Sequence, residues 1–168
     1  MYIIVGLGNP GTEYTRTRHN AGRMATDFMV GKVEETKTVT PDTFMNKIGS
    51  VVAKVIKSKK SAKKLIIIHD DLALPLGVIK ISYNRGSGGH KGVESIIQAL
   101  KTKEFIRIRI GISPQNKPSG ESAVEKHILG EFKKSEMEIL TKVFARVQNA
   151  IEVIVKRGFT SAMTEFNK

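Results

Sequence analysis

The chain has 168 residues, with 28 Lys and Arg against 16 Asp and Glu, which gives a formal net charge of +12. Its hydrophobic content of 40% and charged content of 26% are typical of one soluble folded domain and exclude collagen-like, low-complexity and largely disordered chains. The absence of cysteine excludes disulfides, thiolate metal sites and a cysteine nucleophile.

The hydrophobic segments are short. The longest aliphatic run covers residues 65–68, whereas a membrane-spanning helix needs roughly twenty apolar residues. The N-terminus reaches a glycine turn at once, without the basic start and apolar stretch of a signal peptide. We therefore expect a cytoplasmic protein that does not contact a membrane.

The positive charge predicts a polyanionic partner, because lysine and arginine side chains that neutralise phosphates release counterions. Six lysines lie between residues 54 and 64, following apolar residues at helical spacing. Two interpretations of this run stay open: nucleic-acid contact, or a solvated helix end that complements the helix dipole. Aromatic residues make up only 6% of the chain, which favours recognition of phosphates or shape over base stacking.

Apolar periodicity predicts that strands and helices alternate along the chain. Strands are predicted at residues 2–5, 37–40, 65–69, 78–83 and 106–112, and helices at 21–29, 48–56, 93–100 and from about 135 to a stop at Gly158. Asp42 or Thr43 is expected to cap the second helix, and residues 113–122 are expected to form a mobile loop, a candidate lid. This alternation predicts a three-layer α/β fold in a single domain, residues 1–168.

The first candidate site is the glycine-rich turn Gly6–Gly11, which matches the Gly-x-Gly-x-x-Gly pattern of dinucleotide-binding proteins. That fingerprint requires a helix directly after the turn, whereas Pro10 and Gly11 here predict a further turn. A tight structural turn is therefore the better interpretation. A nicotinamide-dependent oxidoreductase is the weakest functional alternative, and we expect no such cofactor to bind.

Three further segments contain residues suited to catalysis. His19 lies in a polar cluster and could transfer protons near neutral pH, although a histidine taken alone in such a place is more often a helix-start or solvent residue. His69-Asp70-Asp71 could provide a carboxylate that orients a histidine; a turn cap and a magnesium site are the alternatives. The third segment, Gly86–Gly92, has glycines that allow close backbone approach near a helix start.

The most specific segments, in chain order, are Gly6–Gly11, Tyr14, Arg18–Gly22, Pro41, Thr43–Asn46, His69–Leu72, Gly88–His90 and Arg107–Ile112. Together they resemble bacterial-type peptidyl-tRNA hydrolases over most of the chain. The resemblance implies a mixed, mostly parallel twisted sheet flanked by helices. It also implies a monomeric esterase, without metal or other cofactor, that cleaves the ester between a peptide and tRNA and recycles prematurely released peptidyl-tRNA.

The resemblance also implies roles for individual residues. His19 would be the base that takes a proton from the attacking water, and Asp70 would orient its imidazole. Further residues would bind the substrate: the amides of Asn9 and Asn46, the side chains of Tyr14 and Met45 along the crevice, and His90 with Lys91 in the glycine loop. For Met45, simple core filling stays open as an alternative.

Arg109 corresponds to an arginine that clamps a tRNA phosphate in the family. The family's neighbouring clamp lysine corresponds to Ser82 here, with Lys80 and Arg85 as candidate substitutes. Two other departures are Lys91, where the family usually has asparagine, and a shortened segment at residues 31–40. These departures motivate an alternative function, a catalytically weakened tRNA-binding relative of the same fold.

Overall fold

The computed structural model describes residues 1–168 and contains five strands and seven α-helices. The strands are Tyr2–Gly6 (β1), Thr36–Val39 (β2), Leu65–Pro75 (β3), Ile79–Tyr83 (β4) and Ile106–Ser113 (β5). The helices are Ala21–Met29 (α1), Ile48–Val55 (α2), Lys59–Ala62 (α3), Lys91–Leu100 (α4), Glu121–Ile128 (α5), Lys134–Arg157 (α6) and Phe159–Phe166 (α7). None of these helices combines the length and the apolar composition needed to cross a bilayer.

The strands form one mixed sheet in the order β2-β1-β3-β5-β4. Neighbouring strands are parallel except for β4, which is antiparallel to β5 at one edge. The edge strand β2 pairs directly with β1, so the segment 31–40 supplies the short strand expected there. The mixed, mostly parallel sheet is therefore confirmed.

The central strand β3 explains the three layers. Its residues 65–68 are completely buried, and their side chains alternate between two hydrophobic clusters. Ile66 and Ile68 pack in the cluster that contains α1, α6 and α7, whereas Leu65 and Ile67 pack in the cluster that contains α2 and α4. A strand with helices on both faces has no wet face, which is why this run is continuously aliphatic.

Helix α1 lies very close to the sheet because two glycines remove side chains from the contact. A Cβ atom on Gly22 would lie 2.0 Å from the carbonyl oxygen of Ile68, and one on Gly6 would lie 2.3 Å from the carbonyl oxygen of Gly22. The glycine-rich turn after β1 leads into a 3₁₀ turn at Thr12–Tyr14 rather than an α-helix. The first glycine of the motif thus serves helix–sheet packing, and the turn is not built like a dinucleotide-binding turn.

Several predicted boundaries were wrong. Strand β3 continues to Pro75 because its second half pairs with β5, so Asp70 and Asp71 lie inside the strand rather than after it. Neither Asp42 nor Thr43 caps α2, because a 3₁₀ turn at Met45–Lys47 leads directly into the helix.

Near the C-terminus, Ser113 belongs to β5 and α5 begins at Glu121, so the candidate lid is confined to residues 114–120. Helices α5 and α7 were not predicted. Helix α5 has no buried residue, and so gives little apolar signal.

Candidate functional site

A cavity of about 1290 Å³ opens beside the carboxyl ends of β1 and β3, where α/β folds commonly bind ligands. One wall comes from residues 84–90, the glycine-rich segment between β4 and α4, which we call the glycine loop. Another wall comes from α5. All site residues predicted from the sequence, except Lys80, line it: Asn9, Tyr14, His19, Met45, Asn46, Asp70, Arg85, His90, Lys91 and Arg109.

Asp70 lies at the centre of the site and contacts two histidines. Its Oδ2 is 2.8 Å from Nδ1 of His19, and its Oδ1 is 2.8 Å from Nε2 of His90. His19 is placed by the 3₁₀ turn Arg18–Asn20 that precedes α1, and His90 is the N-cap residue of α4. Three separate parts of the chain therefore meet at one buried carboxylate.

The hydrogen bonds of His90 fix its tautomer. Its Nδ1 accepts the backbone N–H groups of Gly92 and Val93 at 3.2 and 3.4 Å, so Nε2 carries the proton and donates it to Asp70. The second oxygen of Asp70 accepts from Nδ1–H of His19. In the neutral imidazole the lone pair is then on Nε2 of His19, which has no hydrogen-bond partner in the protein. This is the arrangement that a general base requires.

The environment of Asp70 keeps it ionised. Burial by itself would raise the pKa of this carboxyl, but the hydrogen bonds donated by His19 and His90, and the positive charge that either imidazole carries when protonated, outweigh burial and hold the pKa well below its ordinary value. An anion in contact with His19 orients the imidazole and stabilises the imidazolium that forms when His19 takes up a proton.

His19, Asp70 and His90 are also the residue types of a metal site, and their ligand atoms lie within 4.8 Å of one another. A metal-binding imidazole nitrogen must be unprotonated, however, and Nε2 of His90 carries the proton it donates to Asp70. The paired-aspartate magnesium site is also disfavoured, because Asp71 binds Nη1 of Arg109 at 3.0 Å instead. The donor set fits a hydrogen-bonded catalytic group better than a cation site.

The side-chain amides of Asn9 and Asn46 differ in which of their polar groups are free to bind a ligand. Oδ1 of Asn9 accepts the backbone N–H of Met45 at 2.8 Å, so only its Nδ2 group remains for a ligand. Asn20 holds the same turn through both backbone groups of Asn9, at 2.9 and 3.0 Å. Asn46 is exposed and makes no side-chain hydrogen bond within the protein. Asn46 can therefore offer a ligand both a donor and an acceptor, whereas Asn9 can offer only a donor.

Met45 both fills the core and lines the cavity. It is buried in the hydrophobic cluster with α2 and α4, and its side chain covers Gly92, where a Cβ atom would lie 2.5 Å from its sulfur. Core filling and cavity lining are thus compatible roles for Met45.

Tyr14 lies at the cavity wall in edge-to-face contact with the exposed ring of Phe44, with ring centroids 6.2 Å apart.

Two comparisons decide the family. The protein-family model described as peptidyl-tRNA hydrolase matches residues 3–168. The chain belongs to the peptidyl-tRNA hydrolase family. Relatives named peptidyl-tRNA hydrolase include one from Thermodesulfovibrio yellowstonii, 39% identical over 190 residues and covering 100% of both chains. Another, from Syntrophotalea carbinolica, is 37% identical over 188 residues, covering 99% of this chain and 97% of the relative.

The fold agrees with that assignment. The crystal structure of peptidyl-tRNA hydrolase from Acinetobacter baumannii superposes with a TM-score of 0.88 at 29% identity, covering 99% of this chain and 94% of that one. The Thermodesulfovibrio relative aligns over 190 positions against 168 residues here, so it contains residues that this chain lacks. The location of the shortening, at residues 31–40, stays a prediction.

Three basic residues are predicted to bind tRNA phosphates in this member of the peptidyl-tRNA hydrolase family, and two of them line the cavity. Arg109 lines the cavity while paired with Asp71, and Arg85 lines it from the exposed glycine loop. Lys80 does not reach the cavity, because its Nζ donates to the carbonyl oxygen of Asn167 at the C-terminus. Of the two residues proposed in place of the clamp lysine, Arg85 lines the cavity and Lys80 does not.

Ser82, at the position where the resemblance implies a clamp lysine, is buried. The hydroxyl of Ser82 has no hydrogen-bond partner, and its strand neighbour across the β4–β5 pair is Arg107. Arg107 and His69 also lie at the site and were not predicted as site residues. Arg107 and Arg109 are two residues apart in a predicted strand. This spacing could have indicated that both side chains lie on the same face of β5.

Proposed function

We propose that this family member hydrolyses the ester bond between a peptide, or an N-blocked amino acid, and tRNA, with His19 as the general base. The observation that carries the proposal is the contact of His19 Nδ1 with Asp70 at 2.8 Å, which leaves Nε2 unpartnered in a residue that lines the cavity. This hydrogen-bonded pair favours hydrolysis over the alternative of a tRNA-binding relative with weakened catalysis.

The chemistry proceeds in two steps. Nε2 of His19 takes a proton from water as the water oxygen bonds to the ester carbonyl carbon, and Asp70 stabilises the resulting imidazolium. The carbonyl oxygen then bears negative charge, which the Nδ2 group of Asn9 and the amide of Asn46 can stabilise by donating hydrogen bonds. As the carbon–oxygen bond to the ribose breaks, the imidazolium returns the proton to the leaving oxygen. The products are free tRNA and the carboxylic acid of the peptide, which then releases its proton to solvent as the carboxylate.

Basic side chains at the cavity support binding of the RNA part of the substrate. Arg109, Arg85 and Lys91 line the wall where the glycine loop meets β5, and their charges suit phosphates. Phosphate contacts carry no sequence information, which suits an enzyme that must accept many tRNAs. One chain supplies the entire catalytic set, which supports activity as a monomer.

The test is release of the blocked amino acid from an N-blocked aminoacyl-tRNA by purified protein, with and without chelator. We expect cleavage to survive the chelator and His19→Ala to lower kcat by at least about 10²-fold, the usual contribution of a general base. Lys60→Ala serves as the control, because Lys60 is exposed on α3, near the amino end of β3. Near-normal turnover by a folded His19→Ala variant would refute the base assignment.

The same assay separates the remaining alternatives. Folded wild-type protein that binds tRNA without cleaving it would support the binding-only relative. Loss of cleavage in chelator, with recovery on adding a divalent cation, would return the His19–Asp70–His90 group to consideration as a metal site.

A further inference from the structure

The glycine loop that places His90 and Lys91 has few contacts of its own. Within residues 85–89, Ser87 is partly buried and the other four residues are exposed. The internal hydrogen bonds of the loop all involve Ser87: its carbonyl oxygen accepts from the backbone N–H of His90, and its Oγ accepts from the backbone N–H of Gly89. One hydrogen bond ties this stretch to the sheet: Nη2 of Arg107 donates to the carbonyl oxygen of Gly86 at 2.7 Å. His90 is held on one side by its capping bonds to α4, and on the loop side Arg107 provides the hydrogen bond to the sheet, so the position of His90 over Asp70 depends in part on how firmly Arg107 is held.

Arg107 is an unusual residue for that task because it is 5% exposed and has no carboxylate within ion-pair distance. Burial, with further contributions from Arg109 and Arg85, lowers its pKa to about 10, so it is still a cation at neutral pH. Its second terminal nitrogen, Nη1, lies 3.3 Å from Nε2 of His69. The mechanism proposed above makes no use of either residue.

His69 is held in a single protonation state. Its Nδ1 lies 2.7 Å from the backbone carbonyl oxygen of Asp70, and only a protonated nitrogen can donate to a carbonyl. Nε2 therefore carries a lone pair and accepts from Arg107. Burial is the main cause that holds the pKa of His69 well below its ordinary value, and the positive charge of Arg107 acts in the same direction, so this neutral form is favoured.

We propose that His69 and Arg107 are positioning residues that hold the glycine loop and the Asp70 backbone so that His90 stays bonded to the catalytic carboxylate. The contacts form an unbroken chain from the Asp70 carbonyl through His69 and Arg107 to Gly86. The His69 ring also packs against the His90 ring, with centroids 4.7 Å apart. This inference rests on the proposed function for its kinetic consequence, but the contacts themselves can be measured without activity.

The first test compares Arg107→Met with Arg107→Lys. We expect Arg107→Met to lower kcat by roughly 10²-fold with KM changed little, because displacing a catalytic group by about 1 Å has that cost. Arg107→Lys should recover part of the loss, since one ammonium can still donate to Gly86. A folded Arg107→Met variant with wild-type kcat would overturn the proposal.

The second test reads the side chain of His90 directly by ¹⁵N NMR. In the wild type we expect the Nε2–H form of His90, protected from exchange by its bond to Asp70; in Arg107→Met we expect faster exchange of that proton. Lost activity with an unchanged His90 signal would overturn the positioning role and place Arg107 in contact with substrate instead. An inactive wild type that shows the expected His90 signals and their change would refute the proposed function and leave the positioning contacts established.

Substitutions of His69 provide a second route should Arg107→Met fail to fold. His69→Gln places an amide oxygen where Nε2 accepts from Arg107, whereas His69→Asn keeps a donor for the Asp70 carbonyl and loses that acceptor. We expect the glutamine variant to keep the wild-type exchange rate of the His90 proton better than the asparagine variant. The opposite order would show that Arg107 is not held through His69.

Discussion

Asn9 and Met45 are joined by a hydrogen bond from the Met45 backbone N–H to the Asn9 side-chain oxygen, 2.8 Å long. The bond joins the turn after β1 to the 3₁₀ turn before α2, two walls of the same cavity. It also orients the Asn9 amide, leaving the Nδ2 group as the part that can meet a substrate.

The substitution Asn9→Asp tests the Nδ2 donor of this amide separately from its Oδ1 acceptor. The aspartate keeps an oxygen for Met45 but replaces the Nδ2 donor with an anionic oxygen, so we expect kcat/KM to fall by about 10²–10³-fold, as for the loss of an oxyanion donor. Thermal unfolding should show that Asn9→Asp keeps more of the wild-type stability than Asn9→Ala, which loses both groups. Wild-type kcat/KM in Asn9→Asp would show that Nδ2 does not contact the reacting ester.

Arg109 and Lys80 are a matched pair for testing phosphate contact, because they are directly opposite on β5 and β4 but only Arg109 lines the cavity. We expect Arg109→Gln to weaken tRNA binding and to reduce the slope of log K against log salt by about 1, with little effect on sequence preference. Lys80→Gln should leave that slope unchanged. Filter binding at several salt concentrations measures both. Equal slopes for wild type and Arg109→Gln would remove Arg109 from the phosphate contacts.

The resemblance implies an asparagine at the position of Lys91. Lys91 is exposed, lines the cavity and makes no hydrogen bond or ion pair with the His19–Asp70 pair. We therefore expect Lys91→Asn to keep kcat at or above the wild-type value. Its KM should be higher than that of the wild type at low salt and should depend less steeply on salt concentration, because a cation near the phosphates has been removed. Steady-state kinetics at low and moderate salt test this, with Lys142→Asn as the control, because Lys142 is exposed on α6 and does not line the cavity. A sharp fall in kcat would show that the lysine is a functional replacement for the asparagine.

The buried state of His69 predicts a pH dependence of stability. Its pKa is lowered in the folded protein from the ordinary 6.5, so below pH 6.5 the unfolded chain binds a proton that the folded chain does not. This group should therefore reduce the free energy of unfolding by about 1.4 kcal/mol per pH unit as pH falls below that value. Asp70, with a depressed pKa, should add a further loss below pH 3.8.

Denaturant unfolding at pH 7.5, 6.5 and 5.5 measures the first effect. His69→Gln cannot take up this proton, so its stability should fall less steeply between pH 6.5 and 5.5 than that of the wild type. Parallel pH profiles for the two proteins would show that His69 titrates normally in the folded state.

Much of the architecture was accessible from local pattern. The alternating run in β5 and the helical spacing in α1, α4 and α6 identified those elements. The helices each bury an apolar face against the sheet, and the alternating isoleucines of β5 pack in the cluster that contains α1 and α6. Helix α5 buries no residue, and so its pattern is weak. The extension of β3 past His69 also escaped prediction, because pairing with β5 rather than local apolar character keeps those residues extended.

The sequence by itself determined the family, the three-layer α/β fold and the residue types of the site, because short motifs in a fixed order are specific even when each is weak. Only the tertiary structure decided which atoms are free to act. Whether Asn9 offers a donor or an acceptor, whether Lys80 reaches the cavity and which nitrogen of His90 holds the proton all depend on hydrogen bonds between residues far apart in the chain. Such bonds depend on distances and angles between side chains that no spacing along the chain encodes.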